Sequence, residues 1–270
     1  MIVPIQSIFY HVEVCGNGTP FVLLHGFTGD SSTWAPFSNR WGGDRQLIIP
    51  DIIGHGQTEA PNDLHLYNIE SAAYQLNCLL DQLGISKTDM LGYSMGGRLA
   101  LTFSILYPNK IGKLVLESTS PGLKTEDERE ARRKNDAELA KKIREKGLEE
   151  FVNHWEKIPL FHSMEQLPDE TRLKIRQQRL GNSVEGLTNS LIGMGTGSQP
   201  SWWNHLQELT SEVLLVTGEK DEKFCRIAKQ MLPHLKNGKW ITVENAGHAI
   251  HVEEPEFFGT IISDFLSNKT

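Results

Sequence analysis

The chain has 270 residues, 39% of them hydrophobic and 23% charged, with a formal net charge of -7 at pH 7. That length suits one large α/β domain or two modest ones, with a core that needs no disulfide staples, and the acidic balance argues against a nucleic-acid or anionic-membrane surface. The three cysteines, Cys15, Cys78 and Cys225, form no CxxC pair of the zinc or redox type, and the longest apolar runs are strand-length, far below the roughly 18 residues of a membrane span.

The N-terminal MIVPIQSIFY lacks the basic start and apolar centre of a secretory signal, so a cytoplasmic location is expected. Residues 5–14 are β-rich, and Gly16-Asn17-Gly18 turns the chain into the continuous apolar run Phe21-Val22-Leu23-Leu24, which suits a strand buried on both faces. His25-Gly26-Phe27 closes that strand. Leu47-Ile48-Ile49 is the next run, and in PDIIGHGQT, residues 50–58, Asp51 and His55 read as loop-fixing residues. Further runs at Met90-Leu91 and Leu114-Val115-Leu116 are separated by helical segments near 70–83 and 95–107. Strands alternating with helices imply a mostly parallel central sheet with flanking helices.

From Pro121 to His205 the sheet rhythm stops. Residues 121–150 carry nine Lys plus Arg and nine Asp plus Glu, with apolar residues at helical spacing. This stretch reads as an inserted helical lid, dividing the chain into a core segment 1–120, a cap 121–205 and a second core segment 206–270. The strand-helix rhythm then resumes with Val213-Leu214-Leu215-Val216, a helix near 222–232, Trp240-Ile241-Thr242-Val243 and a final helix near 254–267.

Chemistry concentrates at GYSMGGR, residues 92–98, which fits the G-x-S-x-G nucleophile elbow between a strand and a helix. Ser94 is the candidate nucleophile. Its partners fall in the order serine, acid, histidine, as Asp221 in TGEKDEKF and His248 in NAGHAIH, both on loops after strands. His251 is the rival base, and Glu219 and Glu244 are rival acids. Backbone N–H groups of Phe27 and Met95 are the candidate oxyanion donors. His25, preceding that loop, reads as structural. No G-x-G-x-x-G or P-loop follows a strand and no histidine–carboxylate spacing suggests a metal, so no cofactor is implied. Arg98 poses a question, because a cation in the first turn of a helix faces the positive end of its dipole. A negative group should compensate it.

Taken together these motifs resemble the α/β-hydrolase superfamily. GYSMGGR, ESTSPGL with the following ERxxR, WEKIPLF, QQRLGNS, TGEKDEKF and AGHAIH resemble more closely the menaquinone-pathway 2-succinyl-6-hydroxy-2,4-cyclohexadiene-1-carboxylate synthase family. That resemblance implies an α/β-hydrolase fold with an inserted lid and a triad acting as a base in pyruvate elimination from a tricarboxylate. It further implies carboxylate binding by Arg98, Arg132 and Arg179, and Tyr93 and Trp155 as pocket aromatics. Arg129 and Arg133 neighbour Arg132, and Arg172 and Arg176 precede Arg179 on the same expected helix, as alternatives. A serine carboxylesterase or carbon–carbon hydrolase, and a small-molecule receptor on the same fold, are the other readings open at this point. Oligomeric state is not read from the sequence.

Overall fold

The computed structural model describes residues 1–267. Its strands are β1 (Ile2–Ile5), β2 (Ile8–Cys15), β3 (Thr19–Leu24), β4 (Arg45–Pro50), β5 (Thr88–Tyr93), β6 (Ile111–Glu117), β7 (Glu212–Gly218) and β8 (Gly238–Val243). Its helices are α1 (Ser38–Trp41), α2 (Ile69–Gln82), α3 (Met95–Leu106), α4 (Glu126–Lys146), α5 (Leu148–Trp155), α6 (Asp169–Leu180), α7 (Val184–Met194), α8 (Glu222–Met231), α9 (Ile250–Glu253) and α10 (Pro255–Ser267). The strands form one eight-stranded sheet in the order β1-β2-β4-β3-β5-β6-β7-β8. Pairing is antiparallel in β1–β2 and β2–β4 and parallel elsewhere.

The apolar runs occupy the middle of the sheet because both faces are covered. Phe21 to Leu24 and all of β5 are buried, with one core on each side of the sheet. Where the sequence suggested one β-rich stretch over 5–14, the structure makes a hairpin. The reversal occurs at Gln6-Ser7, with Gln6 at φ 55, as a two-residue hairpin turn demands of its first residue. The expected terminal helix is α10, opened by Pro255 after the short separate helix α9.

Between β6 and β7 no strand intervenes, and α4 to α7 occupy the interval. Helix α4 is specified by its ends rather than by an apolar face. Thr125 and Glu128 form a capping box, Glu126, Asp127 and Glu128 complement the dipole at its start, and Arg144 and Lys146 complement it at the end. The buried stripe of Ala140 and Ile143 packs with Phe151, Val152, Leu187 and Leu191 into a small third core of its own. No helix among the described residues is long and apolar enough to cross a membrane.

Candidate active site

Ser94 sits between β5 and α3 at φ 50 and ψ -103, a left-handed conformation that non-glycine residues rarely adopt. The surroundings force it. A Cβ at Gly96 would lie 2.4 Å from the carbonyl oxygens of both Leu24 and His25, so α3 can start this close to β3 only with glycine there. The strained turn is held from outside by Ser94 N–H donating to Glu117 O at 2.9 Å, and it leaves the hydroxyl facing a cavity.

His248 Nε2 lies 3.0 Å from Ser94 Oγ, and His248 Nδ1–H donates to Asp221 Oδ2 at 2.6 Å. The donor at Nδ1 leaves Nε2 free to accept the serine proton. Asp221 is fixed in turn as the N-cap of α8, where its Oδ1 accepts Phe224 N–H at 3.2 Å. Imidazole and carboxylate are both buried, under the rings of Phe224, Tyr93 and Phe161. The rivals are committed elsewhere. His251 pairs with Glu117 at 2.9 Å, Glu219 accepts Asn245 N–H, and Glu244 is exposed.

Phe27 and Met95 line the same cavity, and their backbone N–H groups have no acceptor among the described residues. His25 is spent structurally: Nδ1–H donates to Gly26 O at 2.8 Å and Nε2 accepts Ile52 N–H at 2.9 Å. Asp51 holds its loop by accepting Ser31 N–H, Gln57 N–H and His11 Nδ1–H.

The cavity measures about 600 Å³. Arg98, Arg132 and Lys223 line it, with Lys124 and Arg226 alongside, so it is basic in a protein that is acidic overall. Arg98 is only half compensated. Its Nη1 donates to Met194 O at 2.7 Å and to Gln199 Oε1, while Arg132 occupies Asp136 through Nε at 2.8 Å. Burial, and then the facing Arg132 charge, push the Arg98 guanidinium down to about 9 against a partial counter-pull from Asp136. Lys223 is lowered too, by burial and then by Arg132. A site that depresses its own cations is one that an anion relieves.

Trp155 lines the cavity with its indole N–H lacking an acceptor, and Tyr93 lines it beside Ser94. Arg129 and Arg133 instead pair with Glu126, and Arg176 pairs with Glu156 and Asn153, so of the lid arginines near position 132 only Arg132 faces the cavity. Arg179 differs from the expectation that grouped it with Arg98 and Arg132. It is buried behind Phe161, its Cζ 5.0 Å from that ring and its Nη1 3.9 Å from Glu156, and it does not line the Ser94 cavity. The turn of α6 directs it into a neighbouring cavity of about 370 Å³ that shares Tyr93 and Phe161 as a wall. Sequence reasoning missed Lys223, whose signal was a cation in the first turn of a helix, the same signal that marked Arg98.

The α/β-hydrolase fold model matches residues 19–255. A Bacillus subtilis (strain 168) protein to which 2-succinyl-6-hydroxy-2,4-cyclohexadiene-1-carboxylate synthase activity is ascribed is 47% identical over 92% of this chain and 90% of its own length. The chain belongs to this synthase family, within the α/β hydrolases. The Photorhabdus laumondii synthase is 30% identical across 93% of this chain and 87% of its own. The solved structure of MenH from S. aureus superposes with a TM-score of 0.90 at 39% identity, covering 95% of this chain and 97% of that one. These likenesses therefore extend over α4 to α7 as well as the sheet, and α4 and α5 carry Arg132 and Trp155.

Proposed function

We propose that this protein is the lyase that eliminates pyruvate from 2-succinyl-5-enolpyruvyl-6-hydroxy-3-cyclohexene-1-carboxylate, giving 2-succinyl-6-hydroxy-2,4-cyclohexadiene-1-carboxylate for menaquinone biosynthesis. The observation that carries the reading is one cavity in which a Ser94–His248–Asp221 relay faces Arg98, Arg132 and Lys223. The substrate has three carboxylates, and guanidinium forks suit them through paired, charge-assisted hydrogen bonds. Residues 121–205 act as the cap that brings Arg132 and Trp155 over the serine.

The ring hydrogen on C2 is acidified by the succinyl ketone. Ser94 Oγ takes that proton as its own passes to His248 Nε2, and Asp221 stabilises the imidazolium that forms. The ketone oxygen gathers negative charge, which the free N–H groups of Phe27 and Met95 are available to bind. Electrons from the C2–H bond form the C2–C3 double bond, the ring alkene moves to C4–C5, and the C5–O bond breaks. The departing enolpyruvate takes up a proton and becomes pyruvate. No water enters and the step calls for no cofactor. A cytoplasmic location accompanies this reading.

The test is to supply enzymatically generated substrate and follow pyruvate release and diene absorbance, with an activated ester in parallel. Pyruvate release that Ser94→Ala abolishes supports the lyase. Rapid ester cleavage without pyruvate overturns it in favour of a serine carboxylesterase, which the same triad could serve.

A further inference from the structure

A second histidine lies three residues beyond His248, and the elimination chemistry leaves it without a role. His251 is buried in α9, and its partner Glu117, the last residue of β6, is fully buried. A carboxylate so placed is costly unless its oxygens are hydrogen-bonded. Oε1 accepts His251 N–H at 3.1 Å and His251 Nδ1–H at 2.9 Å, with Oε2 3.1 Å from the same ring nitrogen. The main chain of Glu117 works in another direction, its carbonyl accepting Ser94 N–H.

We propose that Glu117 is a positioning residue that sets the Ser94–His248 distance, holding the elbow with its carbonyl and the histidine loop with its carboxylate through His251. The loop has other anchors: Ala246 O accepts Lys220 N–H at 2.9 Å from the turn after β7, and Glu253 accepts the N–H groups of Gly247 and Ala249 on either side of His248. The Glu253 contact lies within the loop segment itself and stiffens it locally. Glu117 is the residue that joins this segment to the strand end on which Ser94 hangs. Packing closes the arrangement, with His251 held between Trp34 and Tyr93 at ring separations of 5.0 and 4.6 Å. Tyr93 immediately precedes the serine, so the His251 ring touches the elbow as well. Releasing the carboxylate frees the histidine loop to drift by a fraction of an ångström, and proton relays lose rate steeply on that scale.

This inference rests on the triad reading of the proposed function. The experiment compares Glu117→Gln, Glu117→Ala, His251→Asn and His251→Leu by thermal melting, steady-state pyruvate release and the rate at which a serine-directed fluorophosphonate labels Ser94. Glu117→Ala and His251→Leu are expected to lower kcat about a hundredfold and Glu117→Gln about tenfold, with KM within about twofold. Labelling falls in step. His251→Asn, whose amide N–H stands in for Nδ1–H, restores kcat to within about threefold of wild type. If Glu117→Ala does not fold, the His251 pair and Glu117→Gln carry the test. Full kcat and full labelling in folded Glu117→Gln and His251→Leu overturn the proposal, as does a loss in His251→Asn equal to that in His251→Leu. Labelling needs only the triad. Wild-type protein that is labelled but releases no pyruvate therefore sinks the lyase alone, while protein that does neither sinks both.

Discussion

Arg98 stands where a cation is unfavourable, and the proposed substrate would supply the missing negative charge. It lies in the first turn of α3, faces Arg132, and has uncharged oxygens as its own hydrogen-bond acceptors. Arg98→Met is expected to lower kcat/KM by roughly 10- to 150-fold, the equivalent of about 1.5–3 kcal/mol for one charge-assisted contact. Unchanged kinetics on the tricarboxylate would remove Arg98 from substrate binding. Lys223 makes a related prediction. It lines the cavity with Arg132, and Lys223→Met should raise KM with little change in kcat. Unaltered KM on the proposed substrate would remove Lys223 from substrate binding. Arg179 gives a contrast in this structure, its guanidinium 5.0 Å from the Phe161 ring and lining a neighbouring cavity.

At the scale of elements, the elbow and helix α4 are stabilised by different physics. The elbow is a steric device. Gly96→Val would drive a branched side chain into the Leu24 and His25 carbonyls, and the expected outcome is insoluble protein or loss of both Ser94 labelling and turnover. Soluble Gly96→Val protein with normal labelling would contradict the close approach of α3 to β3. Helix α4 instead depends on its cap. Thr125→Ala removes the side chain that accepts Glu128 N–H and should destabilise the protein by about 1 kcal/mol, read as a shift in urea midpoint. Because α4 also carries Arg132, fraying at that end should appear as a higher KM with little change in kcat. The reverse split would mean that α4 does not hold substrate.

For the molecule as a whole, two buried imidazoles couple stability to pH. Burial chiefly, and then the neighbouring His25, push His55 down to about 3, and burial likewise lowers His25 against an opposing pull from Asp51. In the unfolded chain both titrate near 6.5. Below that pH the unfolded state binds protons that the folded state refuses, so stability is fully present above about 6.5 and is lost on acidification. The slope approaches about 1.4 kcal/mol per pH unit for His55, and His25 acts in the same direction. Urea unfolding at pH 7.5, 6.0 and 5.0 should show this fall, and His55→Gln should flatten it. A constant unfolding free energy over that range would be inconsistent with neutral buried histidines.

Much of this molecule is written in short-range patterns. Doubly covered strands leave continuous apolar runs at 21–24, 47–49 and 213–216, and the elbow glycines sit within five residues of one another, so the sheet and Ser94 can be read locally. The order serine, acid, histidine follows from the same strand rhythm. Facing is another matter. Arg129, Arg132 and Arg133 differ only by rotation about α4, and which one meets the cavity depends on how Ala140 and Ile143 seat that helix on α5 and α7. The placement of Arg179 behind Phe161 and the entry of Lys223 beside Arg132 are likewise set by packing between distant segments. So is the Glu117–His251 pair, whose members are 134 residues apart. The sequence by itself determined the fold class and the chain order of serine, acid and histidine. Only the tertiary structure decided which cations share the cavity and what holds serine and histidine in register, because those depend on helix rotation and long-range burial that no local period encodes.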